Sequence, residues 1–143
     1  MRVVLDTNIW LDWLVFDDLS VAPLNLAHRD ASLQLVINQV CFDELIAVLA
    51  YPQFKMDEAQ QKKHLAKIEG STIKHKQGRP VSAPALPCCT DPDDQKFLEL
   101  ARDSQVEWLI TKDKALLSIR RTKLQGAGFR IGTPVQWVAS SGI

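Results

Sequence analysis

The chain has 143 residues, 46% of them hydrophobic and 24% charged, and its 17 Lys and Arg balance its 17 Asp and Glu. This size and balance suit one soluble globular domain, expected over residues 1–139 with 140–143 as a frayed tail, and a core of this size needs no covalent staples. A formal charge of zero excludes a protein that coats nucleic acid through bulk charge, though not one with a local basic groove beside an acidic site.

Cys41, Cys88 and Cys89 are odd in number and two are adjacent, so they do not form a disulfide framework, and no Cys/His spacing matches structural zinc. The first residues reach Asp6 too soon for a signal peptide. The longest charge-free stretch, 131–143, contains Gly, Pro, Gln and Ser, whereas a membrane span takes about 20 apolar residues. The expected location is a reducing cytoplasm.

In chain order, Val3–Leu5 reads as a buried strand, and Asp6, Thr7 and Asn8 as a turn or helix cap. Ile9, Leu11, Trp13 and Leu14 predict a first helix with Asp12 outward; Pro23 starts a second over Leu24–Asp30; Leu33–Ile37 is the second strand. Val40–Ala50 is the clearest amphipathic helix, closed by Pro52, and Asp57–Glu69 is a polar helix stopped by Gly70. Ser71–Lys74 reads as a third strand and Gly78–Pro92, with four prolines, as an irregular loop. A helix over Asp94–Arg102, a strand at Trp108–Ile110, a helix over Lys114–Arg120, a strand at Phe129–Ile131 and a last helical stretch at Pro134–Ala139 complete the chain. Strands alternating with helices predict an α/β fold with a parallel sheet covered on both faces. In such sheets ligands bind beyond the carboxyl ends of the strands.

That rule gives the acids a geometry. Asp6 directly follows the first strand and Asp113 follows Trp108–Ile110 after two residues, which puts both at one edge of the sheet. Glu44 shares a helix face with Cys41 and Val48, and Asp94 with Phe97, Leu98 and Ala101, so both point toward the sheet. Carboxylates held against apolar faces lose hydration, and four at one edge repel one another. A divalent cation relieves both costs, and an all-oxygen donor set favours Mg²⁺ or Mn²⁺. Such ions act on phosphoryl oxygens and on water, so the pattern points to chemistry at a phosphate. Each acid also has a plainer reading: Asp6 and Asp113 as helix caps, Glu44 as an outward-reaching acid, Asp94 as a first-turn acid with Asp93 as competitor, and Asp91 as the first residue of an Asp-Pro turn.

Val-Val-Leu-Asp-Thr-Asn at 3–8, Phe-Asp-Glu-Leu at 42–45, Asp-Pro-Asp-Asp-Gln-Lys-Phe-Leu-Glu-Leu-Ala at 91–101 and Leu-Ile-Thr-Lys-Asp at 109–113 resemble the PIN domain. More narrowly they resemble its bacterial and archaeal branch of toxin components from toxin–antitoxin pairs. The likeness keeps motif order and spacing over nearly the whole chain, and 91–113 is its specific part. It implies a three-layer α/β/α sandwich around a mostly parallel sheet and a metal-dependent ribonuclease. It also implies that Asp6, Glu44, Asp94 and Asp113 are the catalytic and metal-binding acids for Mg²⁺ or Mn²⁺, supported by Thr7, Asn8 and Thr111. The implied reaction is in-line hydrolysis of RNA, leaving a 5′-phosphate and a 3′-hydroxyl without a covalent intermediate. An antitoxin protein and a homodimer are the partners it implies. Gln95 departs from the pattern, standing where many relatives carry Asp or Asn.

No Ser/His/Asp or Cys/His set competes with the acids. His28, His64 and His75 read as surface residues. Lys62, Lys63, Lys67, Lys74, Lys76 and Arg79 form one basic stretch that could hold flanking phosphates, with Lys62, Lys63 and Lys67 reading more simply as a solvated helix face. Arg120, Arg121 and Lys123 are better placed to hold RNA phosphates. Trp10, Trp13, Trp108 and Trp137 read as core, with Trp10 and Trp13 also suited to a dimer interface. Two rivals stand beside the nuclease: a PIN-like binding module without activity, and a phosphoaspartyl phosphatase or receiver. The second is weakened by Asn8 where a phosphatase carries its second Asp, and by the lack of an acceptor Asp after a middle strand.

Overall fold

The computed structural model describes residues 1–76 and 83–141. Five strands form one sheet: β1 (Arg2–Leu5), β2 (Gln34–Ile37), β3 (Thr72–Lys74), β4 (Trp108–Ile110) and β5 (Arg130–Gly132). Their order is β3-β2-β1-β4-β5, and every neighbouring pair is parallel. Val3 stands opposite both Leu35 and Trp108, and Leu5 opposite Ile110, so β1 is the centre. Successive strand residues face opposite sides. Val3, Val4 and Leu5 are all buried, as are Trp108, Leu109 and Ile110, so both faces of the central strands are covered.

The covering comes from α1 (Thr7–Leu14), α2 (Ala22–Arg29), α3 (Gln39–Leu49), α4 (Glu58–Ser71), α5 (Gln95–Asp103), α6 (Lys114–Leu117) and α7 (Pro134–Ser141). α5 lies on β1 and β4 and meets α3, while α7 lies on β4 and β5 and meets α2. The α/β sandwich expected from the alternating pattern is present. None of the described helices is long and apolar enough to cross a membrane.

Local chemistry sets the helix starts. Asp6, Asn38, Asp57 and Asp113 each accept a backbone N–H at their helix N-terminus, and Asp57 forms a reciprocal capping box with Gln60. The expected boundaries shift in several places. Gly70 does not stop α4, which runs on to Ser71 before β3 begins. The helix expected over Lys114–Arg120 ends at Leu117, and Arg121–Leu124 forms a separate 3-10 turn. α7 continues to Ser141, into the tail expected to fray. Part of the loop expected at 78–92 lies outside the described residues, and 83–90 is irregular.

The four Trp are buried, so Trp10 and Trp13 are core residues and offer little exposed surface to a dimer. They stack with ring centroids 5.7 Å apart. The three histidines are half-buried rather than free on the surface; His28 Nε2 lies 3.1 Å from the Ser71 carbonyl and its ring meets Trp13 edge-on.

Candidate metal centre

The chain leaves β1 in one direction to build β2 and β3, then returns across it to build β4 and β5. The strand order therefore reverses between β1 and β4, which is where open parallel sheets form their crevice. Asp6 and Asp113 are set at the carboxyl ends of these two strands, as their spacing in the sequence requires.

Asp6 is 3% exposed. Its Oδ1 accepts the Ile9 N–H at 3.0 Å, so it does cap α1, while its Oδ2 accepts the Thr111 hydroxyl. The cap and the site are thus one residue. Burial pushes the Asp6 carboxyl up to about 6; the hydrogen bonds from Thr111 and Ile9 oppose this, and nearby Asp113 adds to it. Thr111 is fully buried, and its hydroxyl oxygen also accepts the Asp113 N–H at 2.9 Å. One hydroxyl, with one proton and two lone pairs, ties both acids to the end of β4. Asp113 Oδ1 in turn caps α6 through the Ala115 N–H at 2.9 Å.

Asp94 ends a 3-10 turn, Pro92–Asp94, and begins α5. Its Oδ2 is buried without a hydrogen-bond partner. Burial, then the neighbouring Asp113 carboxyl, push it up to about 7, with Asp91 and Asp6 adding repulsion. Asp91 is the turn residue expected from its Pro neighbour, accepting the Asp93 N–H at 3.0 Å. It also joins the site: one oxygen each of Asp91, Asp94 and Asp113 lie within 4.8 Å of one another.

Glu44 reaches the same cleft from α3, but both its oxygens are engaged. Oε2 accepts the Thr7 hydroxyl and Oε1 pairs with Lys96 Nζ at 2.9 Å. The cleft holds about 240 Å³ and is lined on its polar side by Asp6, Thr7, Asn8, Glu44, Asp94 and Asp113. The structure thus brings together all four sequence-derived acids with Thr7 and Asn8, and Thr111 stands behind them. Asp91 and Lys96 are additions. Lys96 follows Asp94 by two, and a basic residue in a first helical turn carries no sequence signal for an ion pair to another helix.

Gln95 has a different task from its neighbours. Its Oε1 accepts the Cys89 N–H at 2.7 Å and its Nε2 donates to the Pro87 carbonyl at 3.0 Å. Its amide holds the segment leading to Asp91 and is spent on it. Asp93 is exposed.

The basic residues do not act as one surface. Arg120 and Lys123 line a groove with Pro87, Cys88 and Thr90, beside the segment that carries Asp91. Arg121 lines a separate cleft with Trp108 and Arg130 at the β5 edge. Lys62 pairs with Glu58 at 3.0 Å on the exposed face of α4, the solvated face expected there. Lys74 donates to Gln39 Oε1 at 2.5 Å, and Arg79 lies outside the described residues. The three cysteines are unpaired, and burial pushes the Cys41 thiol up to about 12, which makes it a core residue rather than a nucleophile.

The donor set fits a hard divalent cation. It is all oxygen, it includes a buried carboxylate oxygen with no partner, and burial together with the neighbouring acids pushes two of its carboxyls above their ordinary value. No curated protein matches the chain. The PIN domain family model, by contrast, matches residues 2–115, which carry all the acids of the cleft. The chain therefore belongs to the PIN domain family, a family of nuclease-type fold.

Proposed function

We propose that the protein is a Mg²⁺- or Mn²⁺-dependent endoribonuclease. The observation that carries this reading is the unpartnered buried oxygen of Asp94, beside Asp91 and Asp113 and facing Asp6, at the sheet's crevice. Asp6, Asp94 and Asp113, with Asp91, would hold the cation. Glu44 would join them through the lone pairs its oxygens keep beside Thr7 and Lys96. When bound, the cation polarises the scissile phosphate and lowers the pKa of water at the site.

The chain's own residues supply position and charge control. Thr111 fixes Asp6 and Asp113 in one orientation. Lys96 neutralises Glu44, so that the cleft carries less negative charge toward an approaching polyanion. Without the cation, burial leaves Asp6 and Asp94 with raised proton affinity, so cation and proton would compete for these oxygens. Arg120 and Lys123, in the groove beside Asp91, are the cations we assign to flanking RNA phosphates; Arg121 points to another cleft.

The test is thermal unfolding with and without Mn²⁺. The wild-type chain is expected to gain stability with Mn²⁺, and Asp6→Asn with Asp94→Asn to lose that gain. An inactive binding module, or a site that takes no metal, would show no shift in either. The narrower reading, a toxin held in check by an antitoxin, rests on the motif resemblance. It predicts growth arrest on overexpression that Asp6→Asn relieves.

A further inference from the structure

Tyr51, Phe54 and Phe16 form a ridge of aromatic rings, Tyr51 and Phe54 on the wall of the acidic cleft and Phe16 against Phe54, and the metal chemistry makes no use of it. Tyr51 precedes a 3-10 turn, Pro52–Phe54, closed by the Phe54 N–H donating to the Tyr51 carbonyl at 3.1 Å. Residues three apart eclipse in such a turn. The Tyr51 and Phe54 rings accordingly lie 5° from parallel with centroids 6.4 Å apart. Phe16, just past α1, meets Phe54 at 6.0 Å and 59°. Phe54 rests on the core, while Tyr51 is 46% and Phe16 56% exposed. Single exposed apolar residues are ordinary, but a contiguous group of large ones marks a surface that something covers. Tyr51 and Phe54 are also walls of the cleft that holds Asp6, Glu44, Asp94 and Asp113.

We propose that this ridge is the base-stacking platform of the nuclease site, with bases of the substrate strand lying on Tyr51 and Phe16 while the adjoining phosphodiester faces the acids. The proposal rests on the nuclease reading. The occupant follows from continuity and charge. Tyr51 and Phe54 line the same cleft as the acids, so a strand engaged at the acids through a phosphate has a path over these rings. An unpaired base offers a flat face to them, whereas duplex bases are already stacked on one another. Lys55, the next residue after Phe54, is exposed and held at φ 51°, and supplies a cation for the next phosphate along. An apolar protein segment has no such match, since it would meet the carboxylates that line the same cleft as Tyr51 and Phe54.

The test compares a fluorescein-labelled single-stranded RNA 12-mer with a 12-mer of the same charge whose central nucleotides are abasic, both with Mn²⁺. Binding is read by anisotropy and cleavage by gel, for the wild-type chain, Tyr51→Ala and Tyr51→Phe. The expected result is that Tyr51→Ala weakens binding of the base-bearing RNA by roughly 5- to 100-fold, the scale of one lost stacking partner. It should leave the abasic strand unchanged, and Tyr51→Phe should bind both as the wild type does. Equal loss on both strands, or no loss on either, overturns the platform while wild-type cleavage still upholds the nuclease. Absence of cleavage by the wild-type chain overturns the nuclease reading and the platform with it. A wild-type oligomer that Tyr51→Ala dissociates in sedimentation, with RNA binding unaltered, assigns the ridge to protein contact and overturns the platform alone.

Discussion

Thr111 is the residue on which the site's geometry turns. It is fully buried, and its one hydroxyl donates to Asp6 and accepts from the Asp113 backbone. Thr111→Val keeps the shape and removes the hydroxyl, leaving the buried Asp6 carboxylate and the partly buried Asp113 N–H without this partner. The expected cost is about 1–3 kcal/mol of stability, read by denaturant titration. Loss of a partner that orients a ligand typically costs about 10- to 100-fold in metal affinity or activity, and that range is expected here. Proton affinity sets a second prediction. Asp6 and Asp94 are raised from the ordinary carboxylate value to about 6 and about 7. Folded chains therefore hold more protons than unfolded ones between roughly pH 4 and 7, and metal-free stability falls as pH rises through that window. Mn²⁺ competes for the same oxygens, so its affinity should rise over the same interval. Melting curves at pH 4.5, 5.5 and 7, with EDTA and with Mn²⁺, check both slopes. A metal-free chain that gains stability between pH 4.5 and 7 would contradict this account of the acids.

At the scale of elements, α5 and the segment before it show how much the sequence discloses and where it stops. The face made by Phe97, Leu98 and Ala101 was legible from spacing alone, and with it the inward direction of Asp94. So were Asp6 and Asp113, because a short apolar run followed by an acid fixes both strand end and edge. Asp91 and Lys96 were not legible as site residues. Asp91 reaches Asp94 and Asp113 through a 3-10 turn whose path has no hydrophobic period, and Lys96 finds Glu44 across two helices. Tyr51 and Phe54 were hidden for the same reason, lying in a Pro-containing turn between helices. Gln95 looked like a departure from the acidic pattern and is instead the latch of the preceding segment. Gln95→Ala should free that segment. The expected result is faster hydrogen exchange at the Cys89 amide and a loss of about 1–3 kcal/mol from two hydrogen bonds, with weaker Mn²⁺ binding because Asp91 rides on the same stretch. Unchanged exchange at Cys89 would contradict that role.

For the molecule as a whole, the proposed function asks a chain of zero formal charge to bring an acidic crevice to a polyanionic substrate. The fold solves this by position rather than by net charge. The central strands deliver Asp6 and Asp113 to the point where the strand order reverses, α3 and α5 close over them with Glu44 and Asp94, and Lys96 offsets one charge from within. The remaining excess of carboxylate is what a divalent cation would balance, and only then does the cleft become hospitable to a phosphodiester. The most direct measurement is cleavage of a fluorescent single-stranded RNA by the purified chain with Mn²⁺ or with EDTA, beside Asp6→Asn. The account predicts cleavage with Mn²⁺ that EDTA abolishes and that Asp6→Asn lowers by at least about 100-fold. Cleavage that persists in EDTA or in Asp6→Asn, or a wild-type chain that neither binds Mn²⁺ nor cuts RNA, would contradict it.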